Sequence, residues 1–258
     1  MTADGGRSAG KMEAGPVGSD GVASRPWLLA IDTGTSNIVV AAGDPDGSMI
    51  RALEWPAGYR HGEQLLAGVE QLLAETGLSR DRLVGVVVGT GPGAFTGLRV
   101  GLATAKTLAH ALRLPIAGVG TGEALLEAGH AAGAEGSRTG PALGEERPTA
   151  LLLPAGPHDR VLVRRGVPPE LLPGGTEPEL ASSDELVAVD LEGRAPEAAA
   201  RRGAVAARGL GAALLILGAE RLRTGPGDDV AGLVPEYVTL PRGVRASSGE
   251  ISWSHDPH

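Results

Sequence analysis

The sequence predicts an α/β protein of two lobes, each a mixed sheet with helices packed on it. Three observations carry this. Residues 27–55 read as three short apolar runs broken by the turn signals "DTGTSN" and "DPDG", the pattern of an antiparallel meander. From 61 to about 133, helical and strand periodicities alternate, as helices laid on a sheet require. After a polar stretch at 134–148 the alternation resumes with fewer strands, so a smaller second unit follows.

Each element has its own reason. Residues 1–25 lack an apolar signal core and offer little to bury, so they are expected as a disordered leader. Strands are expected near 27–32, 37–43 and 48–55. In "HGEQLLAGVEQLLAETG" (61–77), Leu65, Leu66, Val69, Leu72 and Leu73 recur at helical spacing, and Gly77 stands where a C-terminal cap belongs. "DRLVGVVVGTG" is continuous and β-branched, as in a strand covered on both faces. A helix near 95–112, a strand at "LPIAGVG" and a helix at "GEALLEAGHAAG" complete the first unit.

In the second unit, "TALLLPAGPHDRVLVRRG" reads as a hairpin and "PPELLPGGTEPEL" as a loop. "ELVAVDLEG" follows as a strand. "APEAAARRGAVAARGLGAALLILGAERLRTG" holds one or two helices, and "GLVPEYVTLPRGV" is extended. The expected division is a leader at 1–25, an N-terminal lobe at 26–133, a linker at 134–148, a smaller C-terminal lobe at 149–245 and a flexible tail at 246–258.

Composition narrows the function. A formal net charge of -8 and 2% aromatic residues speak against an isolated nucleic-acid binder, which needs basic and stacking surfaces. The absence of cysteine removes disulfides, thiolate metal sites and cysteine nucleophiles, and suits a reducing cytosol. The longest apolar runs, "LLLP" and "AALLILGA", are too short to span a bilayer. The histidines (His61, His110, His130, His158, His255, His258) include no i, i+4 pair, GxSxG is absent, and no acid pair stands out. No catalytic residue, metal site or cofactor is expected.

The segment "VVVGTGPGAFTGLRVGLATAKTLA" (86–109) fails the phosphate-loop tests. Gly97 is followed by Leu98 rather than the lysine of a Walker loop, and the third glycine of GxGxxG is replaced by Ala94. Its helix instead carries Gly97, Gly101, Ala105 and Ala109 four apart, a row that lets another backbone come close. That row can serve packing on the chain's own sheet or contact with a partner helix. "DTGT" at Asp32, Thr33, Gly34 and Thr35 can wrap phosphate oxygens in backbone N–H groups, as a weak, degenerate phosphate loop.

In this order, "LLAIDTGTSNIVVAAGDPDG", "HGEQLLAGVEQLL" and "GPGAFTGLRVGLATAKTLA", with a closing "LVPEYVTLP", resemble the TsaB (YeaZ) family. The resemblance implies an actin-like, hexokinase-like (ASKHA) two-lobed fold. It also implies a cytoplasmic, non-catalytic dimerisation subunit that partners a TsaD-like transferase. The pair would act in threonylcarbamoylation of the adenosine beside the anticodon of tRNAs reading A-starting codons. A TsaE-like ATPase would join them, the chain would form a homodimer when alone, tRNA would be met only through the complex, and no membrane is involved. The transferase's His-x-x-x-His metal pair is broken here, with Leu65 where the second histidine would fall after His61, and Asp190 is a poor match to the second phosphate motif. The resemblance further implies pairing through the helices near 61–76 and 95–112. The candidate interface is Leu65, Leu66, Val69, Leu72, Leu73, Gly97, Val100, Gly101 and Ala105. The alternative reading is a stand-alone nucleotide-binding enzyme, kinase-like or metallopeptidase-like.

Overall fold

The computed structural model describes residues 20–57, 61–135, 149–182 and 184–238. Most of the expected leader and linker, and all of the tail at 246–258, lie outside these residues. The first sheet contains β1 (Trp27–Asp32), β2 (Asn37–Gly43), β3 (Met49–Pro56), β4 (Leu83–Gly89) and β5 (Ile116–Val119), in the order β3-β2-β1-β4-β5. The first three strands form the expected antiparallel meander, with Asp32 opposite Val39, while β4 and β5 join parallel to β1. A short helix, α1 (Asp20–Ala23), precedes it.

Alternation along the strands splits the core in two. Leu29, Ile31, Val40, Val86 and Val88 face α2 (His61–Thr76) and α3 (Phe95–Leu112). Leu28, Ala30, Val39, Ala41 and Val87 face α4 (Thr121–Glu135) and α5 (Glu197–Thr224). Helix α2 ends as its sequence requires: Gly77 adopts φ 69° and returns its N–H to Leu73 O at 2.9 Å.

The second sheet holds β6 (Ala150–Pro154), β7 (Arg160–Arg164), β8 (Val167–Leu172) and β9 (Leu186–Ala188), in the order β8-β7-β6-β9. Leu151, Leu153, Val161, Val163 and Val187 turn toward the same α4 and α5, so these two helices are sandwiched between the sheets. Helix α5 is a single helix of 28 residues that ties both lobes together. A side chain at Gly203 would strike the Ala188 carbonyl of β9, and one at Gly218 would strike Val87 of β4. The sequence range assigned to the C-terminal lobe thus contributes a helix to the core of the first. Among the described residues α5 is also the helix long and apolar enough to cross a membrane, and half of its apolar window is buried between the sheets.

One expectation fails here. The first part of "PPELLPGGTEPEL" is a strand, not a loop: β8 pairs antiparallel with β7, with Leu171 opposite Val161 and Leu172 opposite Arg160. Pro168 and Pro169 are compatible because β8 is an edge strand and the register shifts beside them. Such an edge strand carries little periodicity of its own, since only Leu172 of the six is buried.

Because Gly218 lies directly on Val87, Gly218→Leu is expected to force α5 off the first sheet. Overpacking of this kind costs about 1–3 kcal/mol, measurable as a lowered urea midpoint.

Candidate functional site

The turn after β1 spends its own hydrogen-bond donors. Asp32 is fully buried; its Oδ1 accepts the Gly34 N–H at 2.8 Å, and the Thr35 backbone also bonds to the carboxylate. Its Oδ2 accepts Thr121 Oγ at 2.6 Å, and that hydroxyl in turn accepts the Gly91 N–H at 3.1 Å. Asn37 N donates to Thr35 Oγ at 3.3 Å. Ser36 donates its N–H and hydroxyl to Asp190, which comes from the second lobe, at 2.6 and 2.5 Å. Asp32, Thr33, Gly34 and Thr35 are therefore assembled as the sequence suggests. The phosphate expected at "DTGT" does not fit the closed turn, because the N–H groups from Gly34 to Asn37 are already paired with the chain's own side chains.

Burial dominates the electrostatics of this turn. It pushes the Asp32 carboxyl up to about 6 despite hydrogen bonds from Thr121, Gly34 and Thr35 that favour the charged form, with a smaller upward push from Asp190.

The small-residue row of α3 sits on this same turn. A Cβ at Gly97 would fall on the Thr33 carbonyl oxygen, and one at Gly101 on Thr33 Oγ. Thr33 Oγ donates to Gly97 O at 2.7 Å, and Ala105 and Ala109 are buried against the first sheet. Leu65 and Leu72 of α2 are likewise fully buried in that core. Gly97, Gly101, Ala105, Leu65 and Leu72 are therefore corrected from the candidate partner face to the chain's own core. A helix resting on a sheet spends its closest-packing stripe inward.

Of the remaining candidates, Leu66, Val69 and Leu73 share one groove. Leu66, Val69 and Leu73 of α2 and Leu108, Ala111 and Leu112 of α3 line a groove of about 340 Å³, floored by Trp27, Leu29 and Leu83. Leu66 is 52% and Leu112 50% exposed, unusual for leucines on adjacent helices. Val100 is half-buried and packs on the core beside them. Leu108 and Leu112 were not among the candidate residues.

The opposite flank of α3 is covered by residues 228–238. Lys106 Nζ donates to Leu233 O at 3.0 Å, Glu236 N to Thr90 O at 2.7 Å, and Arg99 Nε to Tyr237 Oη at 2.9 Å. The Arg99 guanidinium lies 3.7 Å above the Phe95 ring, whose centroid is 4.9 Å from that of Tyr237. This stack was not legible in the sequence, because Arg99 and Tyr237 are 138 positions apart. Among the described residues, no group of three or more histidine or acidic side chains gathers in a metal-holding arrangement.

A family model described as "TsaD: tRNA N6-adenosine threonylcarbamoyltransferase" matches residues 56–166. The "tRNA threonylcarbamoyladenosine biosynthesis protein TsaB" of Escherichia coli is 36% identical over 94 residues, covering 36% of this chain and 40% of that protein. Its Bacillus subtilis namesake is 33% identical over 98 residues, covering 38% and 42%. The solved structure of YeaZ from Pseudomonas aeruginosa superposes with a TM-score of 0.59 at 20% identity, covering 83% of this chain and all of that one. Over more than a third of its length, the chain is similar to these TsaB proteins. It spans less than half the length of the curated TsaB relatives it matches. The YeaZ likeness bears on fold: the two mixed sheets with sandwiched helices share the overall architecture of that structure. The match to the transferase model falls on the stretch holding α2 to β7, which spans parts of both sheets.

The Asp32 shift makes a pH prediction. Its folded value of about 6 lies above the ordinary 3.8, so between about pH 4 and 6 the folded chain holds a proton that the unfolded chain has released. Stability should therefore fall as pH rises through that window, by about 3 kcal/mol for a shift of this size. Asp32→Asn should flatten this dependence in urea unfolding measured across pH 4 to 7.

Proposed function

We propose that this chain is a non-catalytic scaffold subunit that pairs with a TsaD-type transferase in forming threonylcarbamoyladenosine on tRNA. The observation that carries this reading is the open apolar groove between α2 and α3, with half-exposed Leu66 and Leu112 at its rim. Two adjacent helices presenting leucines to solvent suit a matching helix pair, and the similarity to TsaB proteins and to the TsaD model supports a transferase as its source. The occupied turn around Asp32 supports a non-enzymatic role, since it leaves a nucleotide no free N–H groups to bind.

A cytoplasmic chain in this role forms a homodimer through the same groove when its partner is absent, works beside a TsaE-like ATPase, and meets tRNA only inside the complex. A kinase-like or metallopeptidase-like enzyme is the weaker reading, because Leu65 sits in the core where the transferase's second metal histidine would fall.

Leu66→Glu and Leu112→Glu are each expected to weaken transferase binding by at least about thirtyfold, the cost of losing a central apolar anchor of about 2 kcal/mol or more. Their own stability should change by no more than about 0.5 kcal/mol, because both side chains are half-exposed. Co-elution and thermal unfolding check both halves; full binding by both variants would place the interface elsewhere. The isolated chain should turn over neither ATP nor peptide. Chelator-resistant turnover lost in Asp32→Ala would contradict the scaffold reading.

A further inference from the structure

The donors of the Asp32 turn are not all satisfied alike. Gly34, Thr35 and Asn37 are paired with side chains of the same turn, whereas Ser36 is paired with a residue 154 positions away. Asp190 follows β9 in the second lobe, and its neighbours fix it in place. Val189 is buried between the sheets and donates its N–H to Leu152 O at 3.1 Å, while Leu191 is buried on the outer face of the second sheet. Between these anchors Asp190 adopts φ 57°, a left-handed conformation that Asp tolerates better than most residues.

This backbone turn sends the carboxylate across a cavity of about 930 Å³ between the lobes, lined by Gly34, Ser36, Phe95, Pro154, Asp159 and Asp190 among others. There Oδ2 accepts the Ser36 N–H and Oδ1 the Ser36 hydroxyl. A backbone N–H and a hydroxyl converging from one tight turn hold a carboxylate or phosphate oxygen in the same way.

We propose that Asp190 is a tethered anion: it fills the anion site of the Ser36 turn and latches the two lobes closed, so a phosphate-bearing ligand can enter only by displacing it. The latch crosses from lobe to lobe, while every other bond of the turn stays within the first lobe or reaches α4. Opening the lobes therefore frees the Ser36 donors and leaves the rest of the turn intact. Asp190 also adds negative charge near buried Asp32, a contact whose upward push on that carboxyl would ease when the latch opens.

The full chain has no cysteine, so spin labels can be placed cleanly at Ala103→Cys on α3 and Leu171→Cys on β8, both exposed. Asp190→Ala is expected to lengthen and broaden the label distance, Ser36→Ala to shift it the same way, and amide exchange at Ser36 to rise by about tenfold or more. Inorganic tripolyphosphate should then slow Ser36 exchange in Asp190→Ala and leave the unsubstituted chain unchanged. Asp190→Asn keeps the left-handed backbone and should open the lobes to a smaller degree, so disruption of folding in the alanine variant would not mask the effect. Unchanged label distances in both Asp190 variants would overturn the latch, as would tripolyphosphate acting equally on variant and parent or on neither.

Discussion

The architecture depends on how closely α3 is allowed to sit on the turn after β1. Gly97 and Gly101 leave no room between the helix and Thr33, and the Thr33 hydroxyl closes the remaining gap onto the Gly97 carbonyl. Once that stripe faces inward, the rotation of α3 about its axis is fixed. Arg99 and Lys106 must then meet the 228–238 segment on one flank, and Leu108 and Leu112 must line the groove with α2 on the other. A helix seated by side chains of ordinary size could have turned either flank inward. The glycines remove that choice, and the exposed groove is the consequence.

The same turn is closed on the chain's own side chains. Its N–H groups are as numerous as a phosphate would need, yet they are turned onto Asp32, Thr35 and Asp190. The cost is a fully buried carboxylate whose charged form is disfavoured by burial. The return is rigidity: one carboxylate joins β1, the start of α4 through Thr121, and the loop at Gly91. A first lobe stiffened at its centre holds α2 and α3 as a fixed surface, whatever the second lobe does.

Much of this was legible in the residues. The meander, α2 with its Gly77 cap, the buried β4 and the boundaries of α3 followed from periodicity and turn chemistry, because local sequence dictates local hydrogen bonding there. Which face of α3 points inward did not follow, since a row of small residues suits a sheet and a partner helix equally. Leu65 and Leu66 are neighbours with opposite fates, and only the tertiary seat of α2 separates them. Strand β8 was missed because an exposed edge strand with two prolines has neither burial nor alternation to announce it. The pairing of Ser36 with Asp190 and the stack of Arg99 on Phe95 and Tyr237 join distant positions, and no spacing rule reaches that far.

The central claim is that α3 turns its small-residue stripe inward and offers its leucine flank, with that of α2, to a transferase partner. Hydrogen–deuterium exchange of the chain alone and mixed with the proposed TsaD-type partner tests this directly. The account predicts new protection confined to residues 66–73 and 108–112, with residues 97–105 already protected in the free chain and little changed by the partner. Protection that instead appears on the second sheet or across the lobe cleft, leaving 66–73 and 108–112 as they were, would contradict it.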